Sequence, residues 1–256
     1  MRLQVLGCHG GELPKHRTSC FLLDERTTID AGALCATLQF DDLLRVDDIF
    51  LTHSHFDHSK DLPLLADLIV GKREKAVVVR GPPACMRTIA DHMFNNSLWP
   101  DFTQIPDRNN PVIKLEVMEP YQKKTLGRNT IMSVPVTHPV ESYGYIVENK
   151  KVSIAFSGDT GPTFELWEAV NRAKNLKAVF LELSFPNKLQ SLADISGHLT
   201  PRTLVTELDK LDHKKKGVDI YLYHLKPAFI RELKKEVHEL GRRELRVLEL
   251  GDEFEF

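Results

Sequence analysis

The chain of 256 residues is long enough to bury a substantial hydrophobic core. It is 42% hydrophobic and 27% charged, and its formal net charge is -2, so a strongly basic surface that grips duplex nucleic acid is not expected. The four cysteines show no CxxC spacing, which argues against a zinc knuckle or a disulfide framework. The start lacks the apolar stretch of a signal peptide, and no apolar run reaches membrane-spanning length. These features predict a cytoplasmic protein that does not enter membranes.

The first third of the chain predicts strands that alternate with helices. Short apolar runs predict strands at 3–6, 19–24, 27–30, 46–51 and 75–80. Apolar positions at helical spacing predict helices at 34–46 and 62–70. This alternation indicates an α/β protein whose chemistry lies at strand ends.

The densest group of metal-ligand residue types directly follows the strand at 46–51. Within Thr52 to His58 the sequence contains His53, His55, Asp57 and His58. In an extended segment alternate side chains share a face, so His53 and His55 are expected to project together. A helix that starts at Asp57 would bring Asp57 and His58 to a neighbouring position. The two pairs suit two adjacent ions of borderline softness.

Asp30 stands at a strand end beside Ala31 and Gly32. Its position is equally compatible with a turn aspartate and with a hydrogen-bond acceptor for a ligand imidazole.

Residues 84–111 differ from the preceding alternation. A helix is predicted at 84–94, and an irregular segment that contains Trp99 and Phe102 follows. These aromatic residues would either pack against the edge of the core or belong to a lid over the metal site. In a lid, Phe94, Trp99 or Phe102 would offer a surface for stacking on a flat ring.

In the second half, several apolar runs end at a residue capable of chemistry. Predicted strands at 130–136, 152–156 and 219–223 are followed by His138, Asp159 and His224, and the strand at 177–183 carries Glu182. A further strand is predicted at 113–118, and the runs at 143–147 and 152–156 predict a hairpin. Helices are predicted at 166–173 and 202–211. The lysines at 214–216 are interpreted as a solvated helix end, with a phosphate contact as the alternative.

The ordered series HxHxDH, His, Asp, His resembles the metallo-β-lactamase superfamily, and the resemblance covers nearly the whole chain. It implies one αββα sandwich domain over 1–256, with a dinuclear metal site at the edge of the sheets. It also implies the metal ligands, of which Asp159 would bridge the two ions: His53, His55, Asp57, His58, His138, Asp159 and His224. Two divalent ions are expected, with zinc as the first choice and manganese or iron as alternatives.

Two further segments resemble the class II cyclic-nucleotide phosphodiesterases. They are Ser184-Phe185-Pro186-Asn187 and Ser196-Gly197-His198-Leu199-Thr200-Pro201. The layout is also similar to that of tRNA 3′-processing endonucleases of the same superfamily, which would make Glu182 and His198 a catalytic carboxylate–imidazole pair. The alternative is a structural role for both: a buried carboxylate that caps a helix and a histidine in a loop.

The resemblance implies hydrolysis of 3′,5′-cyclic nucleotides to 5′-nucleotides, with cyclic AMP as the first candidate substrate and cyclic GMP as the second. A hydroxide shared by the two ions and oriented by Asp57 would attack phosphorus, and His198 would protonate the leaving oxygen. Asn187 is a candidate for binding the base or phosphate, and Trp99 and Phe102 are candidates for stacking on the base. Phe56 stands where the family usually has leucine, and we expect it to be a packing residue.

Two other functions are compatible with the sequence. One is an RNA 3′-end endoribonuclease, which the slightly negative charge and the missing basic insertion disfavour. The other is a different metallo-hydrolase, such as a lactonase or a sulfatase. The expected partner is a small cyclic nucleotide, without duplex nucleic acid or membrane, and a homodimer is compatible with the sequence.

Overall fold

The computed structural model describes residues 1–256, which form fourteen strands and nine α-helices. The strands in chain order are β1 (Arg2–Gly7), β2 (Cys20–Leu23), β3 (Thr27–Ile29), β4 (Asp48–Phe50), β5 (Val77–Gly81), β6 (Ile113–Val117), β7 (Lys123–Leu126), β8 (Asn129–Pro135), β9 (Tyr143–Glu148), β10 (Ser153–Phe156), β11 (Leu176–Glu182), β12 (Asp219–Tyr223), β13 (Leu245–Val247) and β14 (Glu253–Glu255). They form two seven-stranded sheets, with the orders β14-β1-β2-β3-β4-β5-β6 and β13-β12-β11-β10-β9-β8-β7.

Each sheet is antiparallel in one half and parallel in the other. β3, β4, β5 and β6 are parallel neighbours in the first sheet. β10, β11, β12 and β13 are parallel neighbours in the second sheet. Because parallel strands end at the same edge, the segments that follow β3, β4, β10 and β12 converge there. β8 runs in the same direction as β10, since β9 is antiparallel to both, and it therefore delivers its end to the same edge.

A layer of aromatic side chains lies between the two sheets. Phe21 of the first sheet packs against Phe156 and Phe180 of the second, with ring centroids 5.1 and 5.8 Å apart. A second apolar cluster covers the outer face of the first sheet and a third covers that of the second. Helices therefore cover both outer faces of a two-sheet core, as the predicted αββα sandwich requires.

The helices are α1 (Leu34–Thr37), α2 (Phe40–Leu43), α3 (Phe56–Ser59), α4 (Asp61–Ile69), α5 (Pro83–Thr88), α6 (Glu165–Arg172), α7 (Gln190–Ser196), α8 (Pro201–Leu208) and α9 (Ile230–Glu239). The single helix predicted at 34–46 is wrong in detail, since two four-residue helices occupy that segment. Leu38 between them has extended backbone, with φ -84° and ψ 145°, and this interrupts the helix.

Five elements of the structure are not predicted from the sequence: β7, α7, α9, β13 and β14. The three strands have no fully buried residue, so their sequences lack the apolar runs by which the inner strands were recognised. The amphipathic helix α9 buries only Leu233 and Val237. None of the nine helices combines the length and hydrophobicity that crossing a membrane would require.

Residues 84–111 pack against the outer face of the first sheet. After α5, a π-helical turn spans Ile89–Met93, and Phe94 contacts Phe102 edge to face at a centroid distance of 6.4 Å. Both aromatic residues belong to the outer apolar cluster of the first sheet. The segment thus contributes to the core, and a lid role for it stays a prediction.

Candidate metal centre and active site

The first group of ligand residues consists of His53, His55 and His138. One nitrogen from each lies within 4.8 Å of the others, and Nε2 of His138 is 3.3 Å from Nδ1 of His55. His53 and His55 follow β4, and His138 follows β8, so the two sheets supply this group jointly. Nδ1 of His138 is 3.0 Å from the carbonyl oxygen of Gly197, which orients the ring and leaves Nε2 for an ion.

The second group consists of Asp57, His58, Asp159 and His224, again within 4.8 Å. Oδ2 of Asp159 is 3.3 Å from Nε2 of His58 and 3.3 Å from Nε2 of His224. The same oxygen is 3.8 Å from Nε2 of His53, a member of the first group. The seven predicted ligands therefore come together, and Asp159 lies between the two groups.

Three atoms of this cluster show that it suits a cation. Nε2 of His53, Nε2 of His58 and Oδ1 of Asp159 are buried and have no hydrogen-bond partner in the protein. An unpartnered buried polar atom costs about 1–3 kcal/mol, so three together are a substantial penalty unless something binds them. Imidazole nitrogens and carboxylate oxygens are ligands for zinc, manganese and iron. The residues present fit divalent metal.

Asp30 forms hydrogen bonds with His58 of the second group and with the neighbouring Thr52. Its Oδ2 is 2.7 Å from Nδ1 of His58, and its Oδ1 accepts hydrogen bonds from the amide of Thr52 at 2.8 Å and from the Thr52 hydroxyl at 3.0 Å. Asp30 is 1% exposed and has a φ of 62°, in the left-handed region that aspartate tolerates better than most residues. Of the two interpretations of Asp30, the structure favours the acceptor for a ligand imidazole.

The charges of the cluster favour ionised carboxylates. Burial lowers the pKa of His58, but Asp159, Asp30 and Asp57 outweigh burial and hold that pKa well above its usual value. Burial works against the ionised form of Asp57, yet His58 and His224 bring its pKa below its usual value. Near neutral pH the carboxylates are therefore ready to bind a cation, which would displace the proton from His58.

Glu182 and His198 form the predicted carboxylate–imidazole pair. Oε1 of Glu182 lies 3.0 Å from Nδ1 of His198 and accepts the amide of Leu199 at 3.1 Å. Glu182 is fully buried and His198 is 6% exposed. Although burial lowers the pKa of His198, the neighbouring Glu182 carboxylate raises it above its usual value. Nδ1 is thus occupied by the carboxylate, and Nε2 is free for an external partner.

Sequence analysis missed two hydroxyl groups that connect these residues. Ser184 donates to Oε2 of Glu182 at 2.8 Å and lies 2.8 Å from Nδ1 of His224, so one hydroxyl joins the carboxylate–imidazole pair to a metal ligand. Thr52 lies 3.0 Å from Nδ1 of His53 in addition to its bonds with Asp30. Both residues stand within or next to the recognised motifs, which is the only sequence signal that marks them.

The three predicted substrate-binding residues have other contacts. Oδ1 of Asn187 accepts the amide of Arg202 at 2.8 Å and so caps the first turn of α8. Phe102 is 4% exposed within the outer core of the first sheet, and Trp99 packs against the same cluster. These positions favour the packing alternative for both aromatic residues.

Phe56 differs from the expectation that it is a packing residue. It is the first residue of α3, between His55 and Asp57, and it is 65% exposed. The expectation was wrong because an apolar residue flanked by metal ligands need not face the core: both neighbours are held by the cluster, and the Phe56 side chain extends into solvent.

Gly10 allows the loop after β1 to approach the cluster. A Cβ at this position would lie 2.9 Å from ring atoms of His224 and 2.6 Å from its carbonyl oxygen. His224 itself has a φ of 65°, a conformation that costs about 1–3 kcal/mol for a residue other than glycine. Close packing of the Gly10 loop holds this strained candidate ligand in place.

Sequence and structure comparisons with known proteins agree with one another. A 3′,5′-cyclic-nucleotide phosphodiesterase 1 of Saccharomyces cerevisiae is 29% identical over 195 residues, which cover 65% of this chain and 51% of the yeast protein. The chain spans about half the length of the curated relatives it matches first. The crystal structure of unliganded yeast PDE1 superposes with a TM-score of 0.84 at 19% identity, over 98% of both chains.

A second solved structure has the fold that the sequence resemblance implies. The metallo-β-lactamase fold protein YhfI from Bacillus subtilis superposes with a TM-score of 0.77 at 19% identity, over 99% of both chains. At these identities the two structures establish the metallo-β-lactamase fold. A family model for class-II cAMP phosphodiesterases matches residues 39–250, which is most of the chain. The chain therefore belongs to the class-II cAMP phosphodiesterase family.

Proposed function

We propose that the protein is a metal-dependent phosphodiesterase that hydrolyses 3′,5′-cyclic AMP to 5′-AMP. The observation that carries this proposal is the Glu182–His198 pair, held by Ser184 against the ligand cluster. A group of metal-ligating residues alone would be compatible with many kinds of hydrolase. A carboxylate-oriented imidazole beside it suits a reaction in which a poor alkoxide leaving group, such as the ribose 3′ oxygen, has to be protonated.

Two divalent ions are the proposed cofactor. His53, His55 and His138 would hold the first ion, and Asp57, His58 and His224 the second, with Asp159 between them. Bound ions of this kind neutralise phosphate charge and acidify a coordinated water molecule. Zinc, manganese and iron all accept these ligands.

Side chains of the protein would carry out the proton transfers. Asp57 is 29% exposed at its side chain, so a carboxylate oxygen can accept a hydrogen bond from the attacking water and orient it toward phosphorus. The P–O3′ bond breaks as the new P–O bond forms, the attacking water releases one proton to solvent by way of Asp57, and Nε2 of His198 gives its proton to the departing O3′. Glu182 accepts a hydrogen bond from Nδ1–H of His198 and raises the pKa of the ring, which favours the doubly protonated form that carries a second proton on Nε2, the nitrogen that faces the substrate.

The proposal is tested by turnover of cyclic AMP, cyclic GMP, bis-p-nitrophenyl phosphate and a precursor tRNA with metal-loaded protein. We expect 5′-AMP from cyclic AMP. Cyclic GMP is included because the sequence does not fix the base preference. Hydrolysis of the chromogenic diester without any cyclic-nucleotide turnover would contradict the assigned substrate while leaving a metal-dependent diesterase. Cleavage of the precursor tRNA at its 3′ end would favour the endoribonuclease alternative.

A further inference from the structure

A cavity of about 290 Å³ lies next to the cluster of candidate metal ligands, and none of those ligand residues lines it. It lies beyond the ends of β1, β12 and β13, against α9. The residues that line it are Cys8, His9, Lys15, His16, Leu225, Ile230, Lys234, Val247, Leu248, Glu249 and Leu250. None of them has a part in the proposed mechanism, so the cavity calls for its own explanation.

One side of the cavity carries unused polar groups. Nδ1 of His16 is buried and has no hydrogen-bond partner in the protein, which is unfavourable unless a ligand forms a hydrogen bond with it. Lys15 forms no ion pair within the protein, whereas the other lysine of the cavity, Lys234, is 3.0 Å from Glu249. Balanced against Glu249, the two lysines leave one uncompensated positive charge. This charge and the free His16 nitrogen suit one anionic group.

The loop that presents these groups is held in a defined conformation. Leu13 and His16 exchange backbone hydrogen bonds at 3.2 and 2.9 Å, which places Lys15 in a tight turn. The ring of His16 packs edge to face on His9 at a centroid distance of 4.6 Å. Burial lowers the pKa of His9 to about 4, so His9 is a neutral wall of the cavity. The loop therefore offers a preformed site.

Much of the remaining lining of the cavity is apolar. Leu225, Ile230 and Leu248 contribute to it, together with Val247 and Leu250. An apolar cavity of about 150 Å³ accommodates benzene, so a volume of about 290 Å³ takes a ring-sized group together with a phosphate or carboxylate.

We propose that this cavity is a second ligand site, which binds a small organic anion made of one phosphate or carboxylate attached to an apolar or aromatic group. Lys15 and His16 bind the anionic group, and the wall of Leu225, Ile230 and Leu248 binds the apolar group. The amide of His224 donates to the carbonyl of Cys8 at 2.7 Å, so the backbone of this wall separates the cavity from the metal cluster.

Isothermal titration of the metal-loaded protein tests the site with three probes: phenyl phosphate, phenylacetate and the uncharged benzyl alcohol. We expect at least one of the anions to bind about tenfold more tightly than the alcohol. The tighter anion tells whether phosphate or carboxylate is preferred, and either result supports the proposal.

Variants distinguish this site from binding at the metals. Lys15→Glu changes an exposed residue and is expected to weaken the anion about tenfold or more, with unchanged metal content. His16→Leu replaces the imidazole with an apolar side chain of similar size, and we expect a similar loss of anion affinity. Lys177→Glu, an exposed residue at the start of β11, is the matched control and leaves binding unchanged. Anion binding that is insensitive to Lys15→Glu and His16→Leu would overturn the proposal, as would the absence of binding.

Discussion

Oδ2 of Asp30 lies 2.7 Å from Nδ1 of His58, and both side chains are almost completely buried. The carboxylate fixes which ring nitrogen of His58 carries a proton and leaves Nε2 to face the ligand cluster. A hydrogen-bonded carboxylate of this kind increases the basicity of a ligand imidazole.

Replacement of Asp30 should weaken metal binding without removing a ligand. For Asp30→Asn we expect a loss of metal affinity of about 10–100-fold, because the amide keeps the shape of the side chain but loses the negative charge. Titration with a competing chelator measures this change. Asp41→Asn alters an exposed carboxylate in α2 and serves as the control. Equal metal affinity of Asp30→Asn and wild type would contradict this role for Asp30.

The proposed acid can be tested by the dependence on the leaving group. His198→Ala should reduce kcat for cyclic AMP by about 10²–10⁴-fold. The loss should be much smaller for bis-p-nitrophenyl phosphate, because p-nitrophenolate departs without a proton. Glu182→Gln should show the same pattern more weakly. A uniform loss for both substrates, or a parallel loss of metal, would indicate a structural role for His198.

Phe56 is expected to contact substrate, since its ring is 65% exposed between two ligand residues. Stacking of a base on an aromatic ring contributes about 1–3 kcal/mol, so Phe56→Ala should raise KM for cyclic AMP about fivefold or more. Phe56→Trp should retain a low KM. Because the ring is exposed, the free energy of unfolding should change by about 0.5 kcal/mol or less in Phe56→Ala. A large loss of stability with an unchanged KM would restore the packing interpretation.

Asp24 is expected to stabilise the sandwich in a pH-dependent way. It joins the β2–β3 turn to the β7–β8 turn through Arg128 at 2.8 Å and Asn129 at 2.7 Å. Burial alone would raise its pKa, but these partners and the amide of Arg2 lower the pKa to about 2. The folded pKa lies below the unfolded value of about 3.9, so the stabilisation is complete above that value and is lost as the pH falls toward 2.

Urea unfolding of Asp24→Asn should therefore show a loss of about 1 kcal/mol at pH 7, with allowance for solvent screening. The difference from wild type should shrink at pH 3. Asparagine tolerates the φ of 45° at this position, so backbone strain does not confound the comparison. Glu25→Gln, in the same turn and exposed, should change stability by less than about 0.5 kcal/mol. A difference that stays constant between pH 7 and pH 3 would contradict the linkage.

The clustering of the candidate ligand residues could largely be predicted because it is encoded locally. His53, His55, Asp57 and His58 lie in one short segment, and His138, Asp159 and His224 each follow an apolar run that is easily identified as a strand. The αββα fold followed from resemblance, since alternation alone predicts only an α/β class. A role in substrate binding for Trp99 and Phe102 stays a prediction, because these are aromatic residues in an irregular segment and aromatic character is the same in a lid and in a core.

The types of the candidate metal-ligating residues, their order and the strands that deliver them are predictable from sequence, because a strand of alternating or apolar residues is recognisable from its own neighbours. Three features are visible only in the folded chain: Asp30 accepts a hydrogen bond from His58, Ser184 joins Glu182 to His224, and Phe56 faces solvent. These contacts join residues far apart in the chain, or depend on the packing direction of one side chain. Both are set by how the two sheets come together and are not visible in any local pattern.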